Sequence, residues 1–301
     1  MPRRVAYSRL PTERRHPGSR HLDRLSSAQL LRFMHREDLR AVHAVGRCLP
    51  QIARAVEMIC RSLRRGGRLL FVGAGTSGRL GVIEAAECPP TFHTPPSLVQ
   101  ALIAGGHRAV FRSQEGAEDD RASARMLIRR RVRPGDVVVG IAASGVTPFV
   151  DEALRVAARR GAQTICVTCH AKTRLSAQLK LALEVGPEIL TGSTRLKAGT
   201  ASKLVLNMLT LGAMVRLGKT YGNLMVDVRP TSRKLRSRAI RIVQSITRCA
   251  PRTAARYLQQ ARGRAKVAVL MARQDLTYRA ATRRLADVDG SLRRALDGAR
   301  R

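Results

Sequence analysis

Two short glycine- and hydroxyl-rich segments carry the residue types that bind phosphate. The first, Gly73-Ala-Gly-Thr-Ser-Gly-Arg79, directly follows an apolar run and precedes a helical pattern. Its glycines, among them Gly75 and Gly78, let backbone amides approach an anion closely, and the start of a helix adds partial positive charge. The hydroxyls of Thr76 and Ser77 add donors that suit a terminal phosphate. The segment predicts a phosphate-binding loop.

The same glycine spacing matches the dinucleotide-binding pattern G-x-G-x-x-G, which is a weak signal by itself. That pattern needs an acidic residue about 20 positions later, at the end of the second strand, to bind a ribose. Here Ala104-Gly-Gly-His107 follows the apolar run Leu98–Ile103 and supplies none. A nicotinamide-dependent enzyme is therefore a distant alternative, and we expect no cofactor.

The second segment is Gly140-Ile-Ala-Ala-Ser-Gly-Val-Thr-Pro148, which also follows an apolar run. Ser144 and Gly145 offer a hydroxyl and an amide. Thr147 is expected to cap a helix whose first residue is Pro148. Two such loops on adjacent strands could hold one phosphate between them, and the alternative is two ordinary strand-to-helix turns.

Carboxylates are scarce, with 21 Asp and Glu against 56 Lys and Arg, so their grouping is informative. Glu84 and Glu87 lie three residues apart after the first loop, and Glu118 lies in Glu115-Gly-Ala-Glu-Asp-Asp120. We expect Glu87 in the last turn of its helix, where the helix dipole favours the protonated form of a general acid. The alternative is that these are surface charges paired with arginine, and this interpretation is favoured for Glu84.

The net charge of +35 at pH 7 is unusual, and 49 of the 56 basic residues are arginine. A field of this size attracts polyanions, so nucleic-acid binding has to be weighed. Aromatic residues make up only 3% of the chain, and no zinc-finger, RNP or basic-zipper pattern is present. We therefore favour an arginine-biased composition over a nucleic-acid function, and expect non-specific anion binding.

The sequence also indicates the compartment. No apolar run approaches the ~20 uncharged residues of a spanning helix, and the basic N-terminus has no apolar signal region. Six scattered cysteines suggest reduced core thiols. Cys166-Val-Thr-Cys-His170 matches the haem-attachment pattern C-x-x-C-H, but it lies across an apolar run and is interpreted as coincidence. We expect a cytoplasmic protein without membrane contact.

Short apolar runs alternate with helical patterns from residue 68 onward, which predicts an α/β fold with a doubly wound parallel sheet. Two helices precede the first strand, and the first of them begins at Ser26-Ser27, which supplies a cap-like serine. A long helix covers about residues 195–217. Pro251 and Gly263 interrupt the helical tail. The predicted strands are Leu69–Val72, Leu98–Ile103, Val137–Ile141, Thr164–Val167 and Leu181–Val185.

Several long segments together resemble the N-acetylmuramic acid 6-phosphate etherases, and the glucokinase regulatory proteins share parts of the pattern. The resemblance extends from about Thr12 to the C-terminal helices. The segments are Thr12-Glu-Arg-Arg15, Gly73–Gly81, Ala86-Glu-Cys-Pro-Pro-Thr91, Glu115–Asp119, Gly140–Gly145, Gly186–Thr200 and Tyr221–Asp227.

This resemblance implies a sugar isomerase (SIS) domain of flavodoxin-like topology at residues 60–223. An N-terminal arm with helices would occupy residues 1–59, and a small helical domain residues 232–301. It also implies a homodimer that needs no metal. The implied reaction, in cell-wall recycling, eliminates the D-lactyl ether at C3 of the open-chain sugar phosphate and adds water, giving N-acetylglucosamine 6-phosphate and D-lactate.

The resemblance also assigns roles to single residues. Glu87 would be the proton donor and Glu118 the second acid/base residue. The substrate's phosphate would be bound by the first loop (Gly75, Thr76, Ser77, Gly78) and the second (Ser144, Gly145, Thr147). Further candidates come from the segment after the last strand: Ser193, Thr194 and Lys197, whose ammonium could neutralise phosphate or oxyanion charge.

The chain departs from the family pattern at Val146, where arginine is expected, at Glu84, where aspartate is usual, and in its arginine-rich C-terminal helices.

A second point is geometric. Ser77 and Glu87 are about 15 Å apart if their helix is unbroken, which exceeds the distance from phosphate to C3. Either the site is shared between two subunits, or Gly81 breaks the helix. A sugar-phosphate-binding regulator without catalysis is the main alternative function.

Overall fold

The computed structural model describes residues 10–228 and 230–298. Its centre is a five-stranded parallel sheet in the order β2-β1-β3-β4-β5, which is the flavodoxin-like order. The predicted fold class is confirmed. The last predicted strand, Leu181–Val185, was placed too late in the sequence, since β5 spans Leu179–Ala182. The strand ends at Ala182 because Thr168, the last residue of β4, is the register partner of Ala182. The strands are β1 (Leu69–Gly73), β2 (Val99–Ile103), β3 (Val137–Ile141), β4 (Gln163–Thr168) and β5 (Leu179–Ala182).

Helices precede, connect and follow these strands. As predicted, a serine caps the first helix: the side chain of Ser26 does so, in a reciprocal pair with Gln29. The helices are α1 (Ser27–Arg47), α2 (Leu49–Arg64), α3 (Gly75–Phe92), α4 (Arg108–Phe111), α5 (Arg121–Arg131), α6 (Pro148–Arg159), α7 (Lys197–Arg216), α8 (Arg233–Thr247), α9 (Pro251–Gln260), α10 (Ala265–Gln274), α11 (Tyr278–Ala286) and α12 (Leu292–Asp297).

The sheet is covered on both faces, as a doubly wound fold requires. Every residue of β1 and of β3 is buried, which explains their unbroken apolar sequences. Leu70 and Val72 of β1 belong to a core cluster with residues of α5 and α6. Phe71 faces α3 instead, where a Cβ added at Gly81 would lie 2.8 Å from the Phe71 Cβ.

The chain forms two compact units. The first contains the described residues up to Ala86 together with Ser97–Thr210, and the second contains Glu87–Pro96 and the described residues from Leu211 onward. This division falls within α3 and α7, whereas the sequence predicted boundaries at residues 60, 223 and 232. Those domain boundaries stay a prediction.

The second unit has its own core, built mainly from α8 to α12. Lys266 of α10 is buried there and donates hydrogen bonds to the Asp227 carboxylate at 2.6 Å and to the carbonyl oxygens of Gly218 and Gly290 at 2.9 and 2.7 Å. Burial lowers the pKa of Lys266, and the charge of Asp227 opposes that shift. The ammonium therefore joins three separate segments of this unit.

One helix among the described residues, α7, is long and apolar enough by composition to cross a membrane. Of its apolar window, 56% is buried inside the protein. This burial is also what a core helix of a globular protein shows.

Candidate active site

The turn from β1 into α3 is built from glycines that admit no side chain. A Cβ added at Gly73 would lie 2.7 Å from the amide nitrogen of Gly78, and one at Gly78 would lie 2.5 Å from Ile103 Cγ1. Gly75 has φ +54° with open space around it, a conformation that L side chains rarely adopt. The turn is therefore as tight as the sequence predicted, and α3 begins at the sheet edge.

Thr76 and Ser77 lie in the first turn of α3, and both are half-buried. The first amides of a helix have no partner within the helix and carry its positive dipole end. Two hydroxyls beside such amides can donate hydrogen bonds to the oxygens of a phosphate. The local geometry of the first loop is therefore suited to an anion.

The second loop connects β3 to α6. Gly145 has φ +73°, and a Cβ there would lie 2.9 Å from both Thr168 Oγ1 and His170 Cβ. Ser144 is half-buried beside it. Thr147 is the residue before α6, as predicted, but its side chain makes no capping hydrogen bond within the described part of the chain. Its hydroxyl is therefore not committed to the helix.

The two loops meet at one edge of the sheet. Strands β1 and β3 are parallel neighbours, with Gly73 opposite Ile141 in the register, so both loops leave from the carboxyl ends of adjacent strands. The chain passes from β1 to β2 on one side and returns to β3 on the other. This position is the topological switch point, where ligands of such sheets bind.

The first turn of α7 approaches the first loop. A Cβ added at Gly199 would lie 3.5 Å from the Thr194 carbonyl oxygen and 3.7 Å from Thr76 Cγ2. Ser193 and Thr194 form the turn that precedes this helix, and both are half-buried. These two predicted residues therefore lie in the neighbourhood of the α3 N-terminus.

The N-terminus of α7 itself is already occupied by a carboxylate. Glu188 is buried, and its oxygens accept hydrogen bonds from the backbone amides of Lys197 and Ala198 at 3.1 and 2.9 Å. Burial raises the pKa of Glu188, and the two amide hydrogen bonds oppose this shift. Of these two helix starts, that of α3 is the one left for a ligand.

Lys197 is not placed as the sequence predicted. Its ammonium is buried and donates to Glu37 Oε2 at 2.6 Å, while His16 Nε2 lies 3.2 Å from the same oxygen. A buried ammonium that neutralises a buried carboxylate is not available to a phosphate. The expectation that Lys197 binds phosphate or oxyanion charge therefore disagrees with the structure, in which this residue anchors α7 to α1.

Glu118 lies on a short 3-10 helix, Ala117–Asp119, which begins after Gly116 in the left-handed conformation (φ +72°). The residue is exposed, but its carboxyl group is partly shielded from water. This desolvation raises the pKa of Glu118, and the negative charges of Asp119 and Glu115 raise it further. A raised pKa makes the deprotonated carboxylate a stronger base, which suits a group that accepts a proton and returns it.

Glu87 is exposed on α3, but the helix does not end there as predicted. It continues through Pro89 and Pro90 to Phe92, and the argument from the helix end therefore loses its basis. Nor does Gly81 break the helix, which is continuous from Gly75. Ser77 and Glu87 are thus about 15 Å apart along one helix.

Glu84 is not the surface charge that the sequence favoured. It is buried, pairs with the ammonium of Lys203, and accepts a hydrogen bond from Thr210 Oγ1 at 2.6 Å. The carboxylate links α3 to α7 within the first unit. Its role is therefore to join two helices rather than to face solvent.

Sequence reasoning missed Glu37 and Glu188, because no local motif marks a carboxylate whose partner lies far away in the chain.

The haem-like pattern, in contrast, is explained. Cys166 lies within β4 and Cys169 directly follows it, both are buried, and burial raises the pKa of each thiol to about 12. Such thiols are inert. Within residues 10–228 and 230–298, no group of three His, Cys, Asp or Glu could hold a metal ion.

Comparison with known proteins identifies the class. The family pattern described as the SIS domain matches residues 117–212, and that of the glucokinase regulatory protein N-terminal SIS domain matches residues 51–158. In the solved structure of phosphoheptose isomerase from Neisseria gonorrhoeae, 97% of that chain aligns with 62% of this one, at 19% identity and a TM-score of 0.48. The sheet order and the matched family patterns define a SIS-domain protein.

Full-length relatives narrow this class to one family. The N-acetylmuramic acid 6-phosphate etherase of Cutibacterium acnes is 51% identical over 289 residues, which is 95% of each chain. The etherase of Gloeobacter violaceus is 54% identical over 266 residues, or 87% of each chain. The chain belongs to the N-acetylmuramic acid 6-phosphate etherase family.

Proposed function

We propose that this chain is an N-acetylmuramic acid 6-phosphate etherase, a carbon–oxygen lyase that acts on a sugar phosphate in cell-wall recycling. The observation that supports the proposal most strongly is identity of about 50% to proteins of that name over nearly the whole length of both chains. The two hydroxyl-bearing loops at the switch point support the same function, because they suit the substrate's phosphate.

In the proposed reaction, the phosphate is held by Thr76 and Ser77 on one loop and by Ser144, Gly145 and Thr147 on the other. Glu118 removes the acidic C2 proton beside the aldehyde of the open-chain sugar. The C3–O bond then breaks, and Glu87 protonates the departing lactate oxygen. Water adds to C3 of the unsaturated aldehyde and a proton returns to C2, which gives N-acetylglucosamine 6-phosphate and D-lactate.

We further propose that the active form is a cytoplasmic homodimer in which Glu87 serves the phosphate bound by the partner subunit. The unbroken α3 supports this arrangement, because Ser77 and Glu87 of one chain are about 15 Å apart. Mixing inactive Ser77→Ala and Glu87→Ala proteins tests it. Random exchange of equal amounts makes half of the dimers mixed, and each mixed dimer has one intact site of two, so about a quarter of wild-type activity should return. An inactive mixture of exchanging dimers would contradict a shared site.

The decisive experiment measures D-lactate release from N-acetylmuramic acid 6-phosphate. The purified wild type should release D-lactate, and Glu87→Ala and Glu118→Ala should each reduce the rate at least a hundredfold. Asp289→Asn is a matched control, because Asp289 is an exposed carboxylate of the second unit. Binding of the sugar phosphate without release would instead favour a regulator like the glucokinase regulatory protein.

A further inference from the structure

The proposed base, Glu118, lies on the segment of residues 104–120, which connects β2 to α5. A base has to be held at a fixed position relative to the bound sugar, because a displacement of about 1 Å can slow a reaction about a hundredfold. Glu118 is nevertheless exposed, and the 3-10 helix that carries it has only three residues. The position of Glu118 therefore depends on how the two ends of this segment are attached to the rest of the first unit.

The start of the segment is attached to the first loop. The Ala104 amide donates to the Gly73 carbonyl oxygen at 3.0 Å. Arg79 donates from Nε to the Val110 carbonyl oxygen at 2.9 Å. Gly73 and Arg79 are the first and last residues of the first loop, so both ends of that loop hold the start of the segment.

The end of the segment is attached to α6 through Arg121. This residue begins α5, three positions after Glu118. Its Nη1 donates to Asp151 Oδ2 at 3.0 Å and lies 3.8 Å from Glu152 Oε2. Ala117, the neighbour of Glu118, packs against the core cluster that contains residues of α5 and α6. The two residues that flank the base on either side are therefore both held against α6 or its core.

The carboxylate of Glu152 is shared by three arginines. Its side chain is 0% exposed, so its charge has to be balanced by nearby cations. Arg125 donates from Nε to Glu152 Oε1 at 2.9 Å, and Arg155 pairs with Oε2. The side chains of Arg121, Arg125 and Arg155 are 45%, 45% and 48% exposed. Arg121 is the one of the three that lies next to the Glu118 helix, so the other two match it in charge, partner and exposure.

We propose that Arg121 is a positioning residue for Glu118, which it holds in a fixed place relative to the second phosphate loop. The Asp151 amide donates to the Thr147 carbonyl oxygen at 3.0 Å, so the carboxylate that Arg121 contacts lies one turn from this loop. Arg121 acts on the reaction through Glu118 rather than by touching the sugar. The inference rests on the proposed role of Glu118 as the base.

The test separates turnover from binding in the D-lactate release assay. Arg121→Gln should lower kcat about tenfold or more, because the base is displaced. KM, and the Kd for N-acetylglucosamine 6-phosphate measured by calorimetric titration, should change less than about twofold, because the phosphate loops are intact. Arg121→Lys keeps a positive charge beside Asp151 and should recover most of the loss.

Arg125→Gln and Arg155→Gln are the matched controls, because each removes one arginine from the same buried carboxylate. Thermal unfolding should show similar stability losses in all three glutamine variants, while kcat of the two controls stays within about twofold of the wild type. In a Glu118→Ala background, Arg121→Gln should cause no further loss, since a residue that acts through Glu118 has nothing left to position.

Four results would overturn the proposal. The first is an unchanged kcat in Arg121→Gln, and the second is an equal fall in the two controls, which would indicate only that Glu152 needs its cations. The third is a loss seen in the Kd for N-acetylglucosamine 6-phosphate rather than in kcat, and the fourth is a further loss in the Glu118→Ala background. Failure of the etherase proposal is distinguishable, since the wild type itself would then release no D-lactate.

Discussion

The ammonium of Lys197 and the carboxylate of Glu37 are 2.6 Å apart, although 160 residues separate them in the sequence. Each side chain is only 2% exposed. His16 and Arg40 also contact the carboxylate, at 3.2 and 3.3 Å. This buried pair joins the N-terminal arm, α1 and the start of α7 beside the proposed site.

Removing one partner of this pair should destabilise the first unit strongly. Lys197→Met leaves the buried Glu37 carboxylate with less compensation, and the expected loss is about 3–5 kcal/mol of unfolding free energy. Urea unfolding followed by circular dichroism measures it. Arg294→Gln is the control, because its exposed pair with Asp289 contributes under about 1 kcal/mol. A loss no larger than the control's would contradict a structural role for the pair.

The same carboxylate should make stability depend on acid pH. Burial pushes the pKa of Glu37 upward, but the hydrogen bond and charge of Lys197 and the charges of His16 and Arg40 outweigh burial, so the pKa is lowered below 4.5. Its contribution is therefore fully present above the unfolded value and is lost as pH falls through the folded one. Unfolding free energy measured from pH 6 down to 3 should fall less steeply in Glu37→Gln than in the wild type.

The glycines of the first loop should differ from a helix glycine in their response to alanine. Gly73→Ala places a Cβ 2.7 Å from a backbone nitrogen and should distort the turn, so sugar-phosphate binding should be lost. Gly46→Ala in α1 meets nothing within 4 Å and should stabilise the protein by about 0.5–1 kcal/mol. Calorimetric titration and thermal unfolding measure the two effects. Normal binding by Gly73→Ala would argue against the tight turn.

If Glu118 acts as the base, it must be deprotonated, and activity should fall as pH drops through its raised pKa. The charges of Asp119 and Glu115 contribute to that raised pKa after desolvation. Neutralising them in Asp119→Asn and Glu115→Gln should lower the pKa and move the acidic limb of the kcat/KM profile to lower pH. D-lactate release measured between pH 4 and 8 gives the limb. A limb that stays in place would exclude Glu118 as its source.

The sheet and its two loops were predictable because their signals are local. Each central strand is buried on both faces, which produces an unbroken apolar run. The loop glycines that follow leave no room for a side chain, since a Cβ at Gly78 would lie 2.5 Å from Ile103 Cγ1. The placement of Glu87 was not predictable in this way. Pro89 and Pro90 normally end a helix, but Cys88 and Phe92 are buried and hold the last turns of α3 in place.

The pairing of Lys197 with Glu37 could not be predicted from the sequence, for a different reason. A lysine within a phosphate-site pattern looks available to a ligand until the distant carboxylate that neutralises it is known. Glu84 was misjudged likewise, because Lys203 and Thr210 are far from it in sequence. Buried polar pairs of this kind carry no periodicity, so only the three-dimensional structure reveals them.

The distance of 160 residues between Glu37 and Lys197 also sets an order of events during synthesis. A ribosome that adds about 5–20 residues per second needs about 8–32 s to reach the lysine after the glutamate has been made. Until Lys197 is made, the Glu37 carboxylate has only His16 and Arg40 as charged partners. For nearly all of that time the N-terminal arm also lacks the Gly192 turn, whose amide bonds to Thr12. The ion pair between α1 and α7 therefore forms only after Lys197, the first residue of α7, has left the exit tunnel.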